Sequence, residues 1–158
     1  MIDKKLVREL VEERIAERDK LLYIVEITIG GGNQILIELD REEGFVKIDD
    51  CISISRNVEH NLDREEEDFA LEVSSAGMTK PFRVLKQYLK NVGRDVRVVS
   101  NEHGKALEGL LKSANEEGFV IETKEKKRIE GKKKKEWVIE EITFNYNEVK
   151  ETKLVISF

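Results

Sequence analysis

The chain has 158 residues, enough for one large core or two small ones. Charged residues make up 39% and aromatics 6%, yet the apolar residues fall in regular runs, which excludes a disordered chain outside one loop. A single cysteine excludes an internal disulfide and fits a reducing compartment, and no apolar stretch approaches the roughly 20 residues of a membrane span.

The formal net charge of −5 conceals a division along the chain. Residues 1–82 carry 11 Lys+Arg against 20 Asp+Glu, a net of −9, whereas residues 83–158 carry 17 against 13, a net of +4. An acidic surface suits a basic protein, and a basic surface suits nucleic acid. The first residues carry no apolar signal core, so a cytoplasmic protein is expected.

Leu6, Val7, Leu10, Val11 and Ile15 recur at helical spacing behind Asp3, a suitable N-cap. Two strands follow, one with Tyr23, Val25, Ile27 and Ile29 on one side and one with Ile35, Ile37 and Leu39. The intervening Gly30-Gly31-Gly32-Asn33 supplies a hairpin turn. It is not a phosphate loop, because no Gly-Lys-Ser/Thr follows and the next element is a strand. A second helix is expected over about 49–62, with Cys51 or Ile52, Ser55, Val58 and Leu62 inside and Cys51 as a buried thiol. After the acidic loop 64–68, Phe69, Leu71 and Val73 alternate as a third strand. A helical crossover returns this strand parallel to the second. The face of the sheet away from the helices would then carry Leu22, Ile24 and Leu36 with Glu26, Glu38 and Glu72, a candidate docking surface for a basic protein.

That strand breaks into Ser74-Ser75-Ala76-Gly77-Met78-Thr79-Lys80-Pro81. Gly77 permits a positive φ, Pro81 cannot continue a ladder, and the two hydroxyls can bond to the turn backbone. Val-Ser-Ser-x-Gly followed by x-x-Lys-Pro resembles the segment joining the two domains of the RimP family of ribosome maturation factors. That family usually has proline at Ala76, Asp at Thr79 and Arg at Lys80. Cys51, Ser55-Arg56 and Leu62-Asp63 resemble its second helix, and Val149-Lys150-x-x-Lys153-Leu154-Val155 resembles its closing segment. Ser74, Ser75, Gly77 and Pro81 thus mark an interdomain turn between an acidic domain, residues 1–80, and a second domain, residues 81–158.

In the second half, Phe82, Leu85 and Leu89 trace a short helix ending near Asn91. Short strands follow from 94, then over 106–112, 119–124, 137–144 and 153–158, with turns between them. Such spacing implies a small closed barrel, and the family resemblance implies an SH3-like one. A basic loop at 125–136 holds Lys126, Lys127, Arg128, Lys132, Lys133, Lys134 and Lys135, which can meet RNA phosphates by charge. Trp137 beside it is read as barrel core.

The expected fold is α+β: an α-β-β-α-β domain with two helices on a three-stranded sheet, followed by the barrel. No catalytic constellation assembles. His60 and His103 lie in different halves, one cysteine gives no zinc spacing, and Ser74-Ser75 lacks a nucleophile elbow or base. No enzyme, metal or cofactor is expected, and the chain is expected to be a monomer. The resemblance implies a factor for assembly of the small ribosomal subunit, one that binds the basic ribosomal protein near the decoding centre (protein twelve of that subunit), and the charge of the basic loop adds an expected contact with ribosomal RNA. The other reading is a general RNA-binding module with an Sm- or SH3-like barrel.

Overall fold

A computed structural model describes residues 2–102, 106–128 and 135–156. Backbone contacts divide the chain into two units, Met1–Gly77 and Met78–Phe158, each with its own apolar cluster.

In the first unit, Asp3 caps α1 (Lys4–Arg18) by accepting the Lys5 N–H at 2.9 Å. The strands β1 (Leu22–Gly30) and β2 (Gln34–Arg41) form an antiparallel hairpin. Gly32 and Asn33 take positive φ in its turn. Helix α2 (Ile48–His60) then crosses over, and β3 (Ala70–Ser75) pairs parallel to β2, giving the order β1-β2-β3. Val7, Leu10 and Val11 of α1 pack with Ile54 and Val58 of α2 onto Ile27, Ile35, Ile37 and Leu39.

Two expectations fail here by register. A bulge between Ile24 and Glu26 reverses the phase of β1. Leu22 and Ile24 therefore join the helix-side core, and they leave the face on which they were expected. In α2 the buried residues are Asp50, Ile54, Asn57 and Val58. The inner face is rotated from the expected one, so Ile52 is exposed and Cys51 only half-buried. Polar groups explain the rotation. Asn57 donates from Nδ2 to the Leu10 carbonyl, and Asp50 accepts from Arg18 Nε at 2.8 Å. These bonds dock α2 on α1 through side chains that an apolar pattern does not count.

In the second unit, α3 (Leu85–Lys90) precedes β4 (Asp95–Ser100), β5 (Ala106–Ala114), β6 (Gly118–Arg128), β7 (Lys135–Asn145) and β8 (Val149–Leu154), with a 3₁₀ turn at Tyr146–Glu148. The helix buries Tyr88 while Leu89 faces solvent. All pairings are antiparallel, in the order β7-β6-β5-β4-β8. The barrel expectation is not met as a closed ladder, because β7 and β8 are the two edges and do not pair. Side chains connect the strands instead. Tyr88 donates its hydroxyl to Thr152 Oγ1 of β8 at 3.0 Å and lies 4.9 Å from the Phe119 ring of β6. The last strand also lies earlier than 153–158. Strands β6 and β7 reach well into the stretch expected as loop, through the pairs Lys126↔Trp137, Lys127↔Glu136 and Arg128↔Lys135.

Candidate functional site

Sheet register places the three expected carboxylates together. Glu26 pairs with Glu38 across β1 and β2, and Glu72 pairs with Leu36, two residues from Glu38. All three share the face opposite the helices by the two-residue period. Their exposure differs: Glu38 is 7% exposed, Glu26 half-buried and Glu72 exposed. On the same face Tyr23 donates its hydroxyl to Asp40 Oδ2 at 3.1 Å. Burial and the adjacent Asp40 charge raise the Tyr23 pKa, which keeps the phenol a neutral donor. Glu72 is the member of the set that projects into solvent.

At the end of β3, the Ala76 N–H donates to the Leu39 carbonyl at 2.8 Å, the last ladder bond. The Gly77 N–H then donates to Ser75 Oγ at 3.2 Å, and Gly77 has a φ of 75°. Ser75 therefore stabilises the turn through its hydroxyl. Ser74 pairs with Glu38 in the ladder. Pro81 is half-buried in the second unit, where the next residue, Phe82, donates its N–H to the Thr152 carbonyl. Of these four residues, Ser75 and Gly77 shape the turn, whereas Ser74 belongs to the strand.

A groove of about 590 Å³ lies between α2 and β3, lined by Ile48, Cys51, Ile52, Ser55, Val73 and Ser75. Ile48 is 80% exposed at its mouth. Sequence reasoning misses this feature because Ile48 falls before the expected helix and Ile52 fits its inner face. Burial, followed by the neighbouring Asp50 charge, raises the pKa of the Cys51 thiol, the opposite of an activated nucleophile.

The basic stretch has a different form from the one expected. Lys126, Lys127 and Arg128 belong to β6 and Lys135 opens β7. The side chains of Lys127, Arg128 and Lys135, and all of Lys132, Lys133 and Lys134, lie outside the described residues. Trp137, expected in the core, is 64% exposed on β7, with Lys126 Nζ 5.4 Å from its ring centroid. Its register sets this outcome. Phe119↔Phe144 and Ile121↔Ile142 face the core, and Trp137 has the opposite parity.

Among the described residues no group of three or more His, Cys, Asp or Glu could hold a metal ion. No described helix is long and apolar enough to cross a membrane.

The RimP N-terminal domain family matches residues 10–79. Over the whole chain the similarity extends to proteins described as ribosome maturation factor RimP. The protein from Flavobacterium psychrophilum is 38% identical over 160 residues, covering all of both chains. That from Christiangramia forsetii is 39% identical over 156 residues, covering 97% of this chain and all of the relative. A Porphyromonas gingivalis relative is 31% identical over 99% of this chain and its own full length. With such identity running through both units, the chain belongs to the RimP family of ribosome maturation factors.

Proposed function

We propose that the protein assists assembly of the small ribosomal subunit as a binding factor, without catalysing a reaction, in the cytoplasm. The carrying observation is full-length identity to ribosome maturation factors, joined to the charge division between the two halves of the chain. In this reading the acidic unit engages the basic ribosomal protein near the decoding centre, with Glu72 as an exposed contact and Glu26 and Glu38 behind it. The basic unit lies against ribosomal RNA through the β6–β7 hairpin and Lys132–Lys135. Contacts of this kind are weakened by salt and yield to competing RNA, which suits a factor that must leave.

The test is affinity for the purified decoding-centre protein beside a small-subunit RNA fragment, each at two salt concentrations. Protein binding that survives competition by the RNA supports an assembly factor acting through its acidic unit. Neutralising Lys132–Lys135 should then weaken association with the subunit and flatten its salt dependence. Binding to RNA alone refutes this mechanism and favours the second reading, a general RNA-binding module built on an Sm- or SH3-like domain. The exposed Trp137 on a basic hairpin is the observation that keeps the second reading in play.

A further inference from the structure

The β6–β7 ladder sorts charge by face. Positions in phase with the core pairs Phe119↔Phe144 and Ile121↔Ile142 include Glu125, Glu136 and Glu140. The opposite phase carries Lys124↔Ile139 and Lys126↔Trp137, with no carboxylate between them. Below these pairs sits Glu122↔Glu141, and Lys112 Nζ bridges both acids at 3.5 and 3.0 Å. The outer face towards the hairpin tip therefore presents two lysines, an indole and Ile139, which is 56% exposed. The sequence hides this sorting, because Lys124, Glu125 and Lys126 are neighbours along β6 and separate only when the register is known.

An exposed apolar pair on a soluble protein calls for an occupant, and charge selects one. Residues 124–135 carry eight Lys+Arg against two Glu, the composition of a polyanion contact. Within this field an indole offers a flat π surface, which stacks on a nucleobase and has no comparable contact with a phosphate. Bases are available for stacking where a strand is unpaired, and are hidden in a duplex.

We propose that the outer face of the β6–β7 hairpin binds single-stranded RNA, with Trp137 stacking on an unpaired base, Ile139 extending the apolar platform, and Lys124 and Lys126 meeting the flanking phosphates. Lys126 already lies over the indole, so base stacking on that side requires the ammonium to swing towards a phosphate. The site rests on the reading that the basic unit faces RNA, and it adds the strandedness of that RNA and the residue that reads it.

Trp137 is the single tryptophan of the chain, so its fluorescence reports this site alone. The full-length protein is titrated with oligouridylate, with an RNA duplex and with inorganic polyphosphate, and binding is followed by tryptophan emission and by anisotropy of labelled RNA. Oligouridylate should quench the emission, and polyphosphate should bind without comparable quenching. Trp137→Ala should weaken single-strand binding about tenfold. Trp137→Phe should retain most of the affinity, because a phenyl ring still stacks. Lys124→Glu with Lys126→Glu should weaken RNA and polyphosphate alike and reduce the salt slope by about two. RNA binding with unchanged emission and no effect of Trp137→Ala overturns the stacking site while leaving the RNA reading intact. No binding to any RNA removes both. Quenching by an acidic peptide but not by RNA makes the face a protein surface and also overturns the proposal.

Discussion

The two units solve the same problem of burying a sheet with different materials. The first covers one face of three strands with two helices, and its core is aliphatic apart from Phe69. Its helices are joined by polar side chains, with Arg14 donating to Ser53 and Asn57, Arg18 to Asp50, and Asn57 to the Leu10 carbonyl. The second unit has five strands and one short helix, and it fills its interior with rings. Tyr88, Phe119 and Phe144 are buried, flanked by Phe82 and Tyr146 at centroid distances of 4.9 to 5.8 Å. Its buried polar residues, Gln87, Asn91 and Thr152, are uncharged. A unit held by charged clamps is sensitive to pH, and one held by close strand packing is sensitive to volume.

One substitution made in both units should separate them most widely. A Cβ at Gly118 would lie 2.0 Å from the Phe144 carbonyl oxygen, and one at Gly109 would lie 2.7 Å from that of Glu122. Gly118→Ala must therefore push β6 from β7, at a cost of about 3 kcal/mol or more. Gly31→Ala, in the turn of the first unit, meets nothing within 4 Å and has no positive φ. It should be neutral or stabilising by about 0.5 kcal/mol through the unfolded chain. Urea unfolding followed by circular dichroism gives both values. Equal effects would show that strand packing does not distinguish the units.

Acid should act on the first unit. Burial raises the Asp50 pKa, but bonds from Arg18 and from the Lys47 N–H outweigh burial and hold the carboxyl below its ordinary value. The folded pKa is thus depressed, so the stabilisation is complete above the ordinary carboxylate range and fades as pH falls through the folded value. Asp50→Asn should cost about 1–2 kcal/mol at neutral pH and flatten the acid limb of the stability curve. An acid limb of unchanged slope in the variant would mean that the clamp is not what titrates.

Local chemistry was legible in the sequence, and register was not. Asp3 as a cap, the Gly-rich hairpin turn and the Ser75–Gly77 turn each depend on a few adjacent residues, and the parallel return of β3 follows from the order of the elements alone. The bulge at Val25 leaves no mark in a run of alternating apolar residues, so the pattern alone puts Leu22 and Ile24 on the wrong face. The rotation of α2 depends on Asp50 and Asn57 finding partners 32 and 47 residues away. Glu125–Arg128 resembles a loop because a ladder formed by charged residues has no apolar period. Hydrophobicity alone puts Trp137 inside, whereas the parity of the strand decides its face. For the candidate site, the sorting of acids from bases on the hairpin needs the pairing, which no local pattern supplies.

The smallest expected effect is the most informative about that hairpin. Lys112 bridges Glu122 and Glu141 from β5, and those two bonds raise the Lys112 pKa. The ammonium is solvent-exposed, so Lys112→Met should leave stability nearly unchanged, and more so at high salt. Its consequence for binding should be larger than its consequence for folding. With Lys112 gone, two uncompensated carboxylates stand on the outer face beside Lys124 and the indole, and they repel phosphate. Affinity for single-stranded RNA should fall by about threefold at low salt and recover its ratio to wild type as salt rises, since screening removes the repulsion. A loss of stability without this change in RNA affinity would mean that Lys112 only fastens β5 to its neighbours, and that the outer face does not meet RNA at this depth.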